Sequence, residues 1–276
     1  MLTVGSLFSG IGGLDLGLER AGMRVAWQSE IDPYACKVLA KHWPEVPNHG
    51  NIKEIDWRRV EPVDVICGGY PCQPFSKAGK RRGEQDPRHL WPWVRKAISQ
   101  LRPRYAILEN VRGHLSLGGT TVLGELTALG YDAEWRVVSA ASVGANHRRD
   151  RVIIVAYPND AGSRTPRRGD KSQRSTSQQG WEKQSQSWAS RCSAALAKSD
   201  SSRRVHTRAQ IFAADTRQQA LAELAIGSWW EIEPDVGRVA NGVPNRVDRL
   251  RGLGNAVVPQ VAEVIGRLVV AHAEHN

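Results

Sequence analysis

Thr3-Val4-Gly5-Ser6-Leu7-Phe8-Ser9-Gly10-Ile11-Gly12-Gly13-Leu14 is the stretch whose reading decides the fold. A short apolar run gives way to a glycine-rich turn, and residues 14–21 then follow helical spacing. A strand that enters a helix through glycines is the opening unit of a doubly wound α/β sheet. Glycine lets the chain turn sharply and brings backbone close to a ligand, and a helix N-terminus favours an anionic group.

Working outward, strands and helices alternate. Strands are expected over residues 2–8, 23–29, 63–67, 105–108, 134–140 and 152–157. Helices are expected over residues 14–21, 33–42, 91–101 and 120–129. Pro33 sits at a helix start, where its missing N–H costs nothing. Alternation of this kind predicts a mostly parallel sheet covered on both faces, with ligands beyond the carboxyl ends of the strands.

Composition changes near Pro158. Residues 159–209 are rich in Ser, Gln and Arg and almost lack apolar periodicity, so partial disorder is expected, with Trp181 and Trp188 as local anchors. Order is expected to resume around residues 220–230. The chain closes with Gly254-Asn255-Ala256-Val257-Val258-Pro259 and a helix whose Val261, Val264, Ile265, Leu268 and Val269 form one apolar stripe. That stripe needs a partner, most simply the first domain. The expected organisation is a catalytic and cofactor-binding domain over residues 1–157, a polar insert over 158–240, and a segment over 241–276 that returns to the first domain.

The 276 residues carry a formal net charge of +10 and a pI near 9.8, which suits a polyanionic partner. Four cysteines, Cys36, Cys67, Cys72 and Cys192, show neither zinc-type pairing nor a disulfide framework, so no metal is expected and a reducing cytoplasm is. The start of the chain has no signal-peptide pattern, and no unbroken apolar run reaches membrane-spanning length, so no membrane association is expected. Cys36 and Cys67 read as buried small apolar residues, and Cys192 as incidental.

Two motifs carry chemistry. Pro71-Cys72-Gln73-Pro74 follows the strand over residues 63–67, which holds a thiol on a stiff loop at a strand's mouth. Glu109-Asn110-Val111 ends the strand over residues 105–108. A thiol and a carboxyl delivered this way can attack an electron-poor ring and manage its protons. At the other end, the glycine turn and Glu30 at the close of the second strand suit a ribose-bearing cofactor; an ordinary tight turn with a surface glutamate is the alternative.

Together the motifs resemble the cytosine-C5 DNA methyltransferases of bacterial and phage type. In order they are Phe8-Ser9-Gly10-Ile11-Gly12-Gly13, Glu30, Gly69-Tyr70-Pro71-Cys72-Gln73-Pro74-Phe75-Ser76, Glu109-Asn110-Val111, His147-Arg148-Arg149-Asp150-Arg151 and Gly254-Asn255-Ala256-Val257-Val258-Pro259. The resemblance covers residues 1–157 and 240–276 and skips the insert. It implies a Rossmann-like fold, S-adenosyl-L-methionine as cofactor, double-stranded DNA as substrate, a monomer, a cognate restriction endonuclease as a possible companion, and a target-recognition role for the insert. By resemblance Cys72 is the nucleophile towards C6 of a flipped cytosine, and Glu109 supports N3 in its protonated form. Arg149 and Arg151 help hold the base and the Glu109 carboxyl; a solvated basic strand edge is the alternative. Phe8, Gly10, Gly12, Gly13, Glu30, Asn51, Ile52 and Asn255 fall to the cofactor, and Tyr70, Pro71, Gln73, Ser76 and Asn110 to the substrate. The Tyr70 carbonyl would read the cytosine amino group and Ser76 a phosphate.

Asp32 caps the helix from Pro33 or contacts the cofactor, and Asp86 and Arg88 order the loop after the nucleophile. Two departures stand out: Gly50-Asn51-Ile52 has Asn where the family often has Asp, and the basic block opens with His147 where the family often has Gln. A tRNA cytosine methyltransferase and a catalytically silent DNA-binding relative are the competing readings.

Overall fold

The structure is a computed structural model and describes residues 1–71, 90–159 and 244–274. Expectations for Cys72, Gln73, Ser76, Asp86, Arg88, Trp181, Trp188, Cys192 and the polar insert lie outside the described residues.

Six strands form one sheet: β1 (Thr3–Leu7), β2 (Arg24–Ser29), β3 (Val65–Gly68), β4 (Tyr105–Val111), β5 (Tyr131–Val138) and β6 (Arg151–Pro158). Their order is β2-β1-β3-β4-β6-β5. The β1–β2, β1–β3 and β3–β4 pairs are parallel, while β6 pairs antiparallel with both β4 and β5. The helices are α1 (Gly13–Arg20), α2 (Pro33–His42), α3 (Trp91–Leu101), α4 (His114–Leu117), α5 (Gly119–Ala128), α6 (Arg246–Asn255) and α7 (Pro259–Glu274). This is the doubly wound, mostly parallel architecture that the alternation predicts.

Strand side chains alternate between two cores. Val65 and Cys67 of β3, with Tyr105 and Ile107 of β4, face the layer that holds α1 and α7. Ile66, Ala106 and Leu108 face the layer with Trp57, Val94 and Ile98 of α3, and Val122 and Leu126 of α5. Side chains in both layers are buried, as expected for strands covered on both faces.

The apolar stripe of α7 lies against α1. Small residues permit the close approach. A Cβ at Gly17 would stand 2.3 Å from the Pro259 carbonyl oxygen, and one at Gly266 would stand 2.6 Å from the Ala21 Cβ. The stretch Arg246–Glu274 is long and apolar enough to cross a bilayer, yet 56% of its apolar window is buried within the fold, as for a core helix.

Most element ends fall within one to three residues of expectation. The instructive shift is β4, which continues through Val111 rather than ending at 108, so Glu109 and Asn110 are strand residues. Antiparallel pairing with β6 continues the ladder, with Glu109 opposite Ile153 and Val111 opposite Arg151. Helices α4 and α6 were not expected; one is a single turn, and the other buries no residue and so shows no apolar stripe.

Candidate active site

β3 ends at Gly68, and Gly69-Tyr70-Pro71 then leads to Cys72. Tyr70 is buried. Its hydroxyl oxygen lies 2.7 Å from His114 Nε2, and its ring packs against Trp91 with centroids 5.5 Å apart. Its carbonyl, expected to read the substrate, accepts a hydrogen bond from Asn110 Nδ2 at 3.2 Å. Asn110 is itself buried, and its Oδ1 accepts from Val111 N at 2.9 Å. Asn110 therefore braces the chain that leads to Cys72. His114 and Trp91 were missed by sequence reasoning. A histidine between Gly113 and Leu115, just past the Glu-Asn-Val strand, was the available signal.

Glu109 projects beside this loop root. It is 9% exposed, and Arg151 Nε meets its Oε1 at 2.7 Å. Burial pushes the carboxyl's pKa up, opposed by the charges of Arg151 and then Arg149, so its proton is held more tightly than in water. Gly69 makes room for it, because a Cβ there would lie 2.8 Å from Glu109 Oε2.

Arg149 also reaches the C-terminal segment. Its Nη2 donates to the carbonyls of Gly254 at 2.7 Å and Ala256 at 2.6 Å. Its charge also opposes the effect of burial on Glu109. Its φ of 37° is left-handed, an uncommon state for a bulky residue. Arg149 thus fastens the approach to β6 onto the α6–α7 junction.

At the far side of the sheet, Phe8 and Gly10 carry φ of 53° and 57°, and both lie at the carboxyl end of β1. The strained Phe8 is the kind of outlier that gathers at functional sites. Above Gly10 the space is open: the nearest atom to a built Cβ is the Phe8 carbonyl oxygen at 4.0 Å. Glu30 faces this turn. Its Oε2 accepts from Gly10 N at 2.8 Å, and its Oε1 accepts from Ile31 N at 2.7 Å and Asp32 N at 2.8 Å. One acceptor site on Oε2 is left over, enough for a ligand hydroxyl. Ile31 beside it is 67% exposed, an apolar platform missed by sequence reasoning. This cradle fits an adenosine-bearing cofactor: an open glycine turn, a carboxylate and an apolar face lie together.

Several expected cofactor contacts have other partners. At Gly12 a Cβ would strike the Trp43 ring at 2.4 Å, and at Gly13 the Val257 carbonyl oxygen at 2.4 Å, so both glycines serve packing. Ile52 is buried in the core. Asn51 turns its Oδ1 to Lys53 N and its Nδ2 to Glu54. Asn255 ends α6, exposed, two residues before the Val257 contact with Gly13. Asp32 caps α2, accepting from Tyr34 N and Ala35 N. Cys67 is buried as expected, whereas Cys36 is half-buried between Asn48 and the Glu30 carbonyl. Among the described residues no group of three His, Cys, Asp or Glu side chains could hold a metal ion.

The open sheet with its glycine turn, acidic second-strand end and guanidinium-clasped carboxyl defines a Rossmann-like α/β protein of the doubly wound class. The model of the C-5 cytosine-specific DNA methylase family matches residues 2–225, and the chain belongs to that family. Type II methyltransferase M.Eco47II of Escherichia coli is 42% identical over 166 residues, covering 57% of this chain and 40% of that protein. Type II methyltransferase M.HhaI of Haemophilus parahaemolyticus is 31% identical over 159 residues, covering 56% of this chain and 48% of that one. The chain thus spans less than half the length of either relative. Among solved structures, a Spodoptera frugiperda DNMT2 variant matches with a TM-score of 0.59 at 16% identity, covering 98% of this chain and 100% of that one. A putative DNA modification methyltransferase encoded in an Escherichia coli prophage matches with a TM-score of 0.59 at 19% identity, covering 99% and 100%. At these identities the two structures speak to the fold alone.

Proposed function

We propose that the chain is a DNA cytosine-C5 methyltransferase that uses S-adenosyl-L-methionine and forms a covalent bond between Cys72 and C6 of a flipped cytosine. The observation that carries this reading is Glu109: a buried carboxyl with raised proton affinity, clasped by Arg151 at 2.7 Å, beside the root of the Cys72 loop. The cofactor, when bound, supplies an electrophilic methyl group.

The chain's residues do the rest. Cys72 thiolate adds to C6, and electron density moves towards N3. Glu109, carrying its proton, donates to N3 and offsets that charge, while Arg151 stabilises the carboxylate left behind. C5 is now enamine-like and accepts the methyl group. Loss of the C5 proton to water then expels the Cys72 sulfur, and the N3 proton returns to Glu109. Tyr70 and Asn110, locked to each other, fix the chain just ahead of Cys72 beside Glu109. Gly10, Glu30 and Ile31 are the residues that would seat the adenosine portion. The nucleotide leaves the duplex first, at a cost of a few kcal/mol.

In this reading residues 158–240 form the target-recognition insert, and residues 241–276 return to the catalytic domain of 1–157. The enzyme acts as a cytoplasmic monomer on double-stranded DNA, alone or beside a restriction endonuclease. The deciding experiment is transfer of labelled methyl from S-adenosyl-L-methionine to DNA, with tRNA as a parallel acceptor. DNA labelling by the parent and none by Cys72→Ala is the expected result. Equal labelling by Cys72→Ala would exclude the covalent step, and labelling of tRNA alone would reassign the substrate. Covalent trapping on DNA containing 5-fluorocytosine separates an active enzyme from a silent relative.

A further inference from the structure

Asp15 in the first turn of α1 is fully buried, yet the functional reading leaves it no role. Its Oδ2 accepts from Ser6 Oγ at 2.9 Å and its Oδ1 from Gln28 Nε2 at 2.8 Å. Ser6 and Gln28 are direct partners in the β1–β2 ladder. That ladder slips register between Val4 and Gly5, immediately before them. Two residues beyond Ser6 is Phe8, and two beyond Gln28 is Glu30, the opposite walls of the cofactor cradle. Across that cradle Gly10 N donates to Glu30 Oε2.

A parallel pair whose register has just shifted can shift again, and a slip of one residue turns every side chain to the other face. At this place a slip would separate Gly10 from Glu30. A carboxylate with two acceptor oxygens bridges the strand pair from the α1 side and ties both strands to the helix that follows the turn. The charged group acting on it is Glu19 from α1; β1 and β2 present the neutral Ser6 and Gln28, and β3 the Cys67 thiol, which the Asp15 charge helps keep protonated. None of these is a cation. An acid buried without a cation costs stability, so packing alone does not account for it.

We infer that Asp15 is a positioning residue for the cofactor cradle: by clamping Ser6 to Gln28 it sets the Phe8–Gly10 turn against Glu30. The inference rests on the reading of that cradle as the seat of S-adenosyl-L-methionine.

Two measurements test it in the full chain. The first is hydrogen exchange over residues 8–13 in the ligand-free protein, where Gly10 N–H reports the clamp. The second is the Kd for S-adenosylhomocysteine by calorimetry. Asp15→Ala is expected to speed exchange in this turn and weaken binding by about tenfold each, the size of one lost hydrogen bond to a charged group. Asp15→Asn keeps an acceptor for Gln28 and a polar contact to Ser6, and is expected to restore both readouts to within about twofold of the parent. Gln28→Ala breaks the other arm and should loosen the same turn, which covers the case in which Asp15→Ala does not fold. The inference is overturned if Asp15→Ala, or Gln28→Ala in its place, lowers the melting temperature while turn exchange and Kd stay at parental values. It is equally overturned if Asp15→Asn binds as poorly as the alanine variant. Should the parent itself bind no S-adenosylhomocysteine, the cofactor reading fails, and the exchange arm alone decides the clamp.

Discussion

Gly69, just past the end of β3, and Glu109 of β4 lie so close that a single methyl group on residue 69 would stand 2.8 Å from the Glu109 carboxyl oxygen. Gly69→Ala is therefore expected to push the carboxyl aside with little effect on folding. A displacement near 1 Å at a proton-donating group lowers kcat by about a hundredfold. Single-turnover methylation, set beside an unchanged melting temperature, checks this. A variant that keeps parental turnover would remove Glu109 from the proton role.

Arg151 opposes the effect of burial on Glu109. Replacing it by Met leaves the carboxyl buried with only the weaker effect of the Arg149 charge to oppose burial. Glu109 then holds its proton to higher pH, so the alkaline limb of the kcat profile should move upward. The sign for stability follows. A carboxyl raised above its unfolded value contributes most at low pH, and that contribution is lost as pH rises through the folded pKa. Arg151→Met should therefore lose stability mainly on the alkaline side, by about 3 kcal/mol, the usual cost of breaking a buried pair. Urea titrations at several pH values read this out.

Asp15 offers a second pH signature. Burial raises its pKa from 3.8 to about 6, against the hydrogen bonds from Gln28 and Ser6. The folded state is favoured while Asp15 is protonated, and that advantage fades as pH rises through 6. A shift of this size corresponds to about 3 kcal/mol. Asp15→Asn should thus melt above the parent at pH 7 to 8, with the difference shrinking near pH 4. Parallel melting curves for the two proteins would contradict the buried-acid assignment.

Arg149 joins the approach to β6 to the α6–α7 junction through two carbonyls. Arg149→Ala frees both and should cost about 2 kcal/mol, the range for hydrogen bonds from a charged donor. Faster hydrogen exchange over residues 252–258, while residues 105–111 stay protected, would be its mark. Loss of protection in β4 as well would assign Arg149 to Glu109 rather than to the junction.

The excess of basic residues, +10 over the chain, should make DNA binding depend steeply on salt. Affinity for a DNA duplex measured between 50 and 200 mM salt is expected to fall by at least about tenfold, and a flat response would contradict a phosphate-led interface.

The order of strands and helices was legible because alternating apolar runs and a glycine turn leave few other topologies open. Glu109 and Arg151 were legible as partners only through the family resemblance, since residues so far apart in the chain show no periodicity that links them. The brace that Asn110 forms with Tyr70 was hidden for a physical reason. The Asn110 motif marks a strand end, but pairing with β6 extends the ladder three residues further, through Val111, and the Asn110 amide meets the Tyr70 carbonyl. Gly12 and Gly13 were read as making room for a ligand. Their space is taken by Trp43 and Val257, which arrive from distant parts of the chain. Ile52 followed a family position, yet its side chain had a core to fill.

The glycine-lined seam between α1 and α7 has a practical consequence. Gly17 and Gly266 let the two helices approach closely and Gly13 admits Val257 just ahead of α7, so α7 completes a surface laid down by α1. During synthesis that surface stays open until the final residues of α7 leave the ribosome. A truncated nascent chain would present it to chaperones, and a peptide spanning residues 244–274, supplied in trans, should close it.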